Sequence, residues 1–213
     1  MLDIDKTEVY GWEAAIRGLR NPLNSWDRSD TQYYDHGGTF RVPRIGSNDY
    51  SLMKKLAKAG SDHGKFLRMI TVTCDINAPL YWWKEYDTYK VGTVANSCST
   101  MHKIHSRPLT LHDFSHEWLE PEAKDVLLCV IETLNTYREF YCDNHNKDDW
   151  YTMIQLLPTS YNQLRTVQLN YQVLKNMYFS RRNHKLDEWR TFCEWIENLP
   201  YSELITGEVG GEQ

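Results

Sequence analysis

HGKFLRMITVTCDINAPLYWWKEY, residues 63–86, decides how the chain folds. Within it Met69, Thr71 and Thr73 alternate with Ile70, Val72 and Cys74, the period of two that a strand needs when one face is buried. The alternation predicts a strand within 66–76. Ala78-Pro79 ends it, and a proline near a first helical turn loses no hydrogen bond, so 80–90 (LYWWKEYDTYK) is predicted as helix. A strand that runs straight into a helix is a building unit of mixed α and β domains.

On the N-terminal side, residues 8–20 (EVYGWEAAIRGLR) place Val9, Trp12, Ile16 and Leu19 on one side of a helix, which Asn21-Pro22 stops. Residues 21–47 are rich in Asn, Asp, Gly, Pro and Ser and read as a long loop, of a length that is usually functional or mobile. Asn48-Asp49 are positioned to cap a helix running to about Ala59, with Gly60 at its end. On the C-terminal side, 91–107 reads as irregular and 121–142 as a long helix with the stripe Val126, Leu127, Val130, Ile131, Leu134 and Tyr137. Leu157-Pro158 breaks the chain, and 159–182 and 186–198 read as helical. Further short strands are expected inside 28–47 and 91–107. The expected class is α+β (α/β), helix-rich with a small sheet, in one domain spanning 1–213.

With 41% hydrophobic and 25% charged residues the chain is not globally disordered. Its net charge of −5 disfavours a nucleic-acid partner but leaves room for a small anion in a local basic pocket. The start MLDIDKTEVYGW carries no basic segment followed by an apolar run, and no stretch reaches transmembrane length, so neither a signal peptide nor a membrane span is expected. The five cysteines are scattered, odd in number and without a C-x-x-C pair, which suits a reduced, cytoplasmic setting. The 14 Tyr and 8 Trp can fill cores and interfaces or stack on planar ligands.

There is no G-x-G-x-x-G turn, Walker loop or G-x-S-x-G elbow. His112-x3-His116 could set two imidazoles on one helix face, but the polar run TLHDFSHEWLE, with Thr110 as a cap, favours a solvated loop, and no metal is expected. Residues 93–102 (TVANSCSTMH) crowd small hydroxyls and amides that suit a phosphate, a pyrimidine edge or simply a polar turn. In 170–181, a helix would put Asn170, Leu174, Met177 and Arg181 on one face and Gln172 with Asn176 on another. Such a helix can line two surfaces or form a subunit contact.

Three stretches in this order resemble the flavin-dependent thymidylate synthases: 63–86, TYKVGTVANSCSTMH at 88–102, and LLPTSYNQLRTVQLNYQVLKNMYFSRRNHKLDEW at 156–189. WEAAIRGLRNP near the start is similar to that family's first helix. The resemblance implies the family's fold. It also implies a homotetramer with sites at subunit interfaces, binding FAD, with NADPH and methylenetetrahydrofolate as co-substrates, that alkylates C5 of dUMP. No protein cysteine attacks the pyrimidine in that family, and the cofactors carry the hard chemistry.

Carried over residue by residue, the resemblance makes His63, Asn96, Asn170 and Asn176 cofactor-binding. It makes Arg181, Lys90 and Ser99 the catalytic and nucleotide-anchoring set, with Glu85 and Gln172 at further substrate positions. Thr93 stands for the first Ser of the signature, and Lys90 for the second Arg of Arg-His-Arg, keeping charge but not the planar fork. Thr88 and Tyr89 replace the Arg and His of that motif, Ser97 the signature Glu, Met101 the next Arg, His102 the Tyr, and Gln172 the Arg of Asn-x-Arg. Each charge-assisted bond contributes on the order of 1.5–3 kcal/mol, so three missing arginines bear on nucleotide affinity by orders of magnitude. Glu85 replaces a Gln; a carboxylate accepts from an exocyclic amine, which opens a cytidine nucleotide such as dCMP as an alternative substrate. The lost arginines open a second alternative, a non-catalytic nucleotide-binding protein on the same scaffold.

Overall fold

A computed structural model of the chain describes residues 2–33 and 42–207. Its elements run β1 (Asp3–Tyr10), α1 (Trp12–Arg20), α2 (Ser47–Lys58), β2 (Thr71–Pro79), α3 (Leu80–Tyr86), β3 (Val94–Ser97), α4 (Thr100–Lys103), α5 (Pro121–Asn144), α6 (Lys147–Leu156), β4 (Asn162–Asn170), α7 (Tyr171–Arg181), α8 (Asp187–Glu197) and α9 (Glu203–Thr206). The strands form one antiparallel sheet in the order β1-β2-β4-β3. The chain divides into two compact units: Met1–Asp3, Ile76–Thr88 and Asn96–Thr166 make the first, and Ile4–Asp75, Tyr89–Ala95 and Val167–Gln213 the second.

In the first unit, α5 and α6 pack together, and Leu127, Ile131, Leu134 and Met153 form a core with Ile104, Leu109 and Phe114. The expected stripe on α5 is narrower than the sequence suggests. Its buried positions step by four and three residues, which is one helical face, while Val126 is 64% exposed. The Asn135 amide locks the Leu109 backbone to this helix with two bonds of 2.8 Å, one to its N–H and one from its own amide to the carbonyl.

The second unit closes on aromatic rings: Trp12 meets Tyr171 and Tyr201 edge-on at 5.4 and 5.3 Å between centroids. It also contains a buried ion pair. Arg20 Nε donates to Asp49 Oδ1 at 2.6 Å, with the side chains 4% and 0% exposed. Arg20 donates further to the carbonyls of Ser25 and Arg28, both at 3.1 Å. Asp49 Oδ2 accepts from the hydroxyls of Ser29 and Thr31 and from the backbone N–H groups of Asp30 and Thr31. One pair thus pins α1, α2 and the start of the long loop.

Several elements differ from expectation. Asn48-Asp49 do not cap α2. Asp30 does, accepting from the N–H groups of Asn48 (2.9 Å) and Asp49 (3.0 Å). A Cβ at Gly46 would sit 2.2 Å from the Asp30 carboxyl carbon, so only glycine admits that cap. The first part of 159–182 is strand β4, not helix: Gln163, Val167 and Leu169 are buried at a period of two, and the polar Gln163 at an inward position hides the alternation. The helix expected from residue 8 begins at Trp12, because 3–10 form β1, whose charged and largely exposed residues disguise a strand. The predicted strand 66–76 starts at Thr71 and runs to Pro79, after a 3-10 turn at Gly64–Arg68. Helix α6 follows a left-handed His145 and is capped by Asn146, which accepts from the Asp148 N–H at 3.0 Å. Of the extra strands expected, β3 lies inside 91–107. Within 28–47, Gln32 and Arg44 form an isolated antiparallel bridge, and 34–41 lie outside the described residues.

Burial by itself raises the Asp49 carboxyl, but the hydrogen bonds from Thr31, Ser29 and Arg20 outweigh it and hold its pKa below the usual carboxylate value. Asp49→Asn leaves Arg20 charged, buried and without a counterion, and should cost about 3–5 kcal/mol in urea unfolding at pH 7. Since the folded pKa is depressed, this contribution is complete above about pH 4 and is lost as pH falls through the folded value. The gap between parent and variant should therefore narrow as pH falls below about 4; a gap that does not change with pH would show that charge is not its cause.

Candidate functional site

In the second unit the candidate residues are carried by α7. Strand β4 ends at Asn170, whose side-chain oxygen accepts from the Val173 N–H at 3.1 Å and caps the helix. Tyr171, fully buried, donates its backbone N–H to Ile70 O at 3.0 Å and its hydroxyl to Pro200 O. Leu174 and Met177 face the core. On the other side Gln172 donates from Nε2 to Asn176 Oδ1 at 3.1 Å, and Asn176 is exposed. Gly92 has a φ of 78°, and a Cβ there would lie 3.0 Å from Val173 Cγ2 and 3.2 Å from Asn170 Nδ2. Glycine lets the backbone after Lys90 approach the start of α7.

Arg181 closes α7. Its Nε donates to the Tyr89 hydroxyl at 2.9 Å, and its guanidinium lies 4.7 Å above the Trp189 ring. Arg182 is exposed and lies over Tyr178 and Phe179, at 5.9 and 5.2 Å, so the two neighbouring arginines have different surroundings. Lys90 is exposed. His63 is exposed at a cleft of about 570 Å³ lined mainly by Leu19, Leu23, Leu52, Leu56, Phe66 and Met69.

The first unit holds Glu85, Asn96 and Ser99. Glu85 is half-buried on α3, and Asn96 is exposed on β3. Ser99 begins α4 and accepts from the His102 N–H at 3.2 Å. The turn at 98–100 is clamped to β4. The Cys98 N–H donates to Leu164 O at 2.9 Å, and Gln163 Nε2 donates to Cys98 O at 2.9 Å and to the Thr100 hydroxyl at 3.2 Å. Gln163 is held in turn by Arg165, which bonds its Oε1 at 3.0 Å, pairs with Asp87 at 2.8 Å and stacks 4.2 Å over Trp83. Next to this turn opens a second cleft of about 300 Å³, lined by Ser99, Lys103, Arg107, Tyr161 and Asn162 among others.

The described contacts therefore join Gln172 with Asn176 on α7, whose cap is Asn170, and Arg181 with Tyr89. Sequence reasoning missed Gln163 and Arg165 as supports, because their role becomes visible only once 162–170 is a strand. His112 lies in a 3-10 turn (Leu111–Asp113) with His116 beyond it, so the two share no helix face. Thr110 and Asp113 form the cap. Among the described residues no group of three His, Cys, Asp or Glu could hold a metal, and no helix is long and apolar enough to cross a membrane. Burial pushes the Cys74 thiol up to about 12 and the Cys193 thiol up to about 11, so both stay protonated.

No protein-family model matches the chain, and no curated protein matches its sequence. Solved structures do match. Thymidylate synthase X from Helicobacter pylori, solved with FAD and dUMP, is 14% identical with a TM-score of 0.68, covering 96% of this chain and 96% of that one. The UMP/dUMP methylase PolB from Streptomyces cacaoi, bound with 5-Br dUMP, is 13% identical with a TM-score of 0.63, covering 97% of this chain and 94% of that one. The chain has the fold of the flavin-dependent thymidylate synthases, as its resemblance implied.

Arg165→Met should release Gln163 and loosen the 98–100 turn. Hydrogen exchange at the Cys98 amide is expected to quicken about tenfold, the equivalent of about 1.4 kcal/mol, while amides of the α5 core stay unchanged. Unaltered exchange at Cys98 would show that Arg165 does not support the turn.

Proposed function

We propose that the chain is a divergent flavin-dependent methylase of pyrimidine nucleotides. It moves a one-carbon unit to C5 of dUMP, with FAD as cofactor and methylenetetrahydrofolate and NADPH as co-substrates. The observation that carries this reading is the extent of the fold match, over 95% or more of the chain, to two proteins described with uridine nucleotides.

The chain's own residues add support. A flavin needs apolar walls for its ring faces and polar groups at its edge, and the 570 Å³ cleft has such walls with His63, Asp62 and Lys65 at the rim. Asn170 and Asn176 offer amide donors from α7. When bound, reduced flavin supplies the hydride, and the protein's task is to bind, orient and polarise. Stacking on Trp189 fixes the plane of Arg181, which a residue gripping a phosphate or a pyrimidine carbonyl needs. Lys90 and Gln172 of the second unit, and Ser99 and Glu85 of the first, are the further residues proposed to contact the nucleotide. A second reading, a nucleotide binder without catalysis, is favoured by Tyr89: it replaces the histidine of the family motif and engages Arg181.

The purified protein should be yellow with a flavin spectrum; a colourless protein that still binds nucleotide would favour the binder. In calorimetry, Asn176→Ala and Asn170→Asp, which keeps the cap but loses the amide donor, should weaken FAD about tenfold or more. With FAD present, Arg181→Ala should cost dUMP at least about tenfold in affinity and Arg182→Ala almost nothing. If no member of the set dUMP, UMP, dCMP and dTMP binds the parent, the methylase reading falls, and the tightest binder otherwise identifies the base.

A homotetramer with sites completed between copies is part of this proposal. Lys90, Asn96 and Asn176 are exposed, and Val126, Phe140 and Phe179 are 64%, 49% and 47% exposed, surface that another copy would cover. Light scattering at micromolar concentration should report a tetramer; a stable monomer would remove the shared-site part of the proposal.

A further inference from the structure

The three arginines missing from the signature leave open what holds the phosphate of the nucleotide. The 300 Å³ cleft of the first unit is at the lower end of small-molecule sites, large enough for a phosphate and the sugar next to it. Its lining contains Lys103, Arg107, one carboxylate, Asp113, and a set of hydroxyls and amides. The carboxylate is fully engaged. Arg107 forks onto both Asp113 oxygens, and the Thr110 N–H and hydroxyl donate to Oδ2 as well. That pair cancels, and the Lys103 ammonium, which has no partner among the described residues, leaves the cleft net positive.

The neutral groups point to the same ligand. Ser99 Oγ already accepts from the His102 N–H, and Thr100 Oγ1 from Gln163, so each has its hydrogen left to donate. Asn162 Oδ1 accepts from the Ser115 hydroxyl at 2.8 Å, which leaves its N–H groups. Burial raises the Tyr161 phenol, with the Asp113 charge adding to it, so Tyr161 stays a donor at neutral pH. Ser106 donates its hydrogen to Lys103 O, but Ser99, Thr100, Tyr161 and Asn162 keep donors open beside the Lys103 ammonium, a set that suits a phosphate monoester.

We propose that this cleft is a phosphate site, in which Lys103, Tyr161 and Asn162, all outside the family signature, hold the 5′-phosphate of the pyrimidine nucleotide. The identity of the nucleotide rests on the function proposed above; the phosphate site itself does not. Lys103 and Asn162 act here by binding and positioning, and take no part in bond making.

Cys98 lines the cleft and is exposed, so it reports occupancy. Its alkylation by N-ethylmaleimide is followed by mass spectrometry, with the exposed Cys129 and Cys142 as internal references. Saturating dUMP, and millimolar inorganic phosphate, should slow the reaction at Cys98 at least about fivefold and leave the references unchanged, whereas deoxyuridine should protect far less. Lys103→Met, a change at an exposed side chain that should leave the thermal melt unaltered, should lower dUMP affinity at least about tenfold and abolish protection by phosphate. Tight dUMP binding with no protection of Cys98 and no effect of Lys103→Met would overturn the phosphate site and leave the methylase reading standing. Lys103-dependent protection by phosphate in a protein that binds no pyrimidine nucleotide would uphold the site and overturn that reading. No protection by either probe sinks the phosphate site.

Discussion

What the second unit presents to a ligand depends on the joint between β4 and α7. Within two residues the chain leaves the sheet, caps a helix through Asn170 and buries Tyr171, whose N–H is bonded to Ile70 O and whose ring abuts Trp12. An 11-residue helix is marginal alone in water. Its position therefore comes from this joint and from Leu174 and Met177 in the core, not from propensity. The joint also sets spacing. At 1.5 Å per residue, Asn170 and Arg181 lie about 16 Å apart along the axis. No single pyrimidine ring reaches both. The helix suits two ligand groups side by side, one near the capping end and one near the arginine.

The two clefts differ in the physics they offer. One is walled by Leu, Phe and Met side chains and gains by removing apolar surface from water, which favours a ring system and sets little orientation. The other is polar, with the Lys103 ammonium among hydroxyl and amide groups, and directional bonds of that kind orient a charged group where an apolar wall does not.

The segment that was legible in the sequence was the one with the least conflict between levels. In 70–78 the β-branched and apolar residues alternate as the strand does, and Pro79 stands where the helix starts. At 162–170 the same period exists, but Gln163 occupies a buried place because its amide is needed by the 98–100 turn, and propensity alone reads the stretch as helix. The role of Asp49 was hidden for a related reason. An acidic residue at the start of a helix looks like a cap, and only the fold brings Arg20 to it from 29 positions away. Of the candidate site, the residues on α7 could be placed by helical periodicity. The clamp on Ser99 and the charge balance of Lys103, Arg107 and Asp113 depend on contacts between segments far apart in sequence, which no local pattern encodes.

The family resemblance sets an arginine where this chain has Gln172, and the two side chains offer different physics. An arginine there would bring a delocalised cation with a planar fork of donors. Gln172 brings no charge, but its Nε2 donates to Asn176 Oδ1 one turn away and so restrains the Asn176 amide. A neutral hydrogen bond contributes about 0.5–1.5 kcal/mol against about 1.5–3 for a charged one, so an amide in place of a guanidinium offsets at most part of a lost charge. The remaining deficit is electrostatic and long in range, and an amide cannot make it up. A cation must do so, and it need not stand in the motif, since Coulomb attraction depends on distance and dielectric and not on position in the sequence. Arg165 is paired with Asp87 and stacks on Trp83. Arg107 is matched by Asp113. In the polar cleft this leaves the Lys103 ammonium as the charge that an incoming anion meets unneutralised.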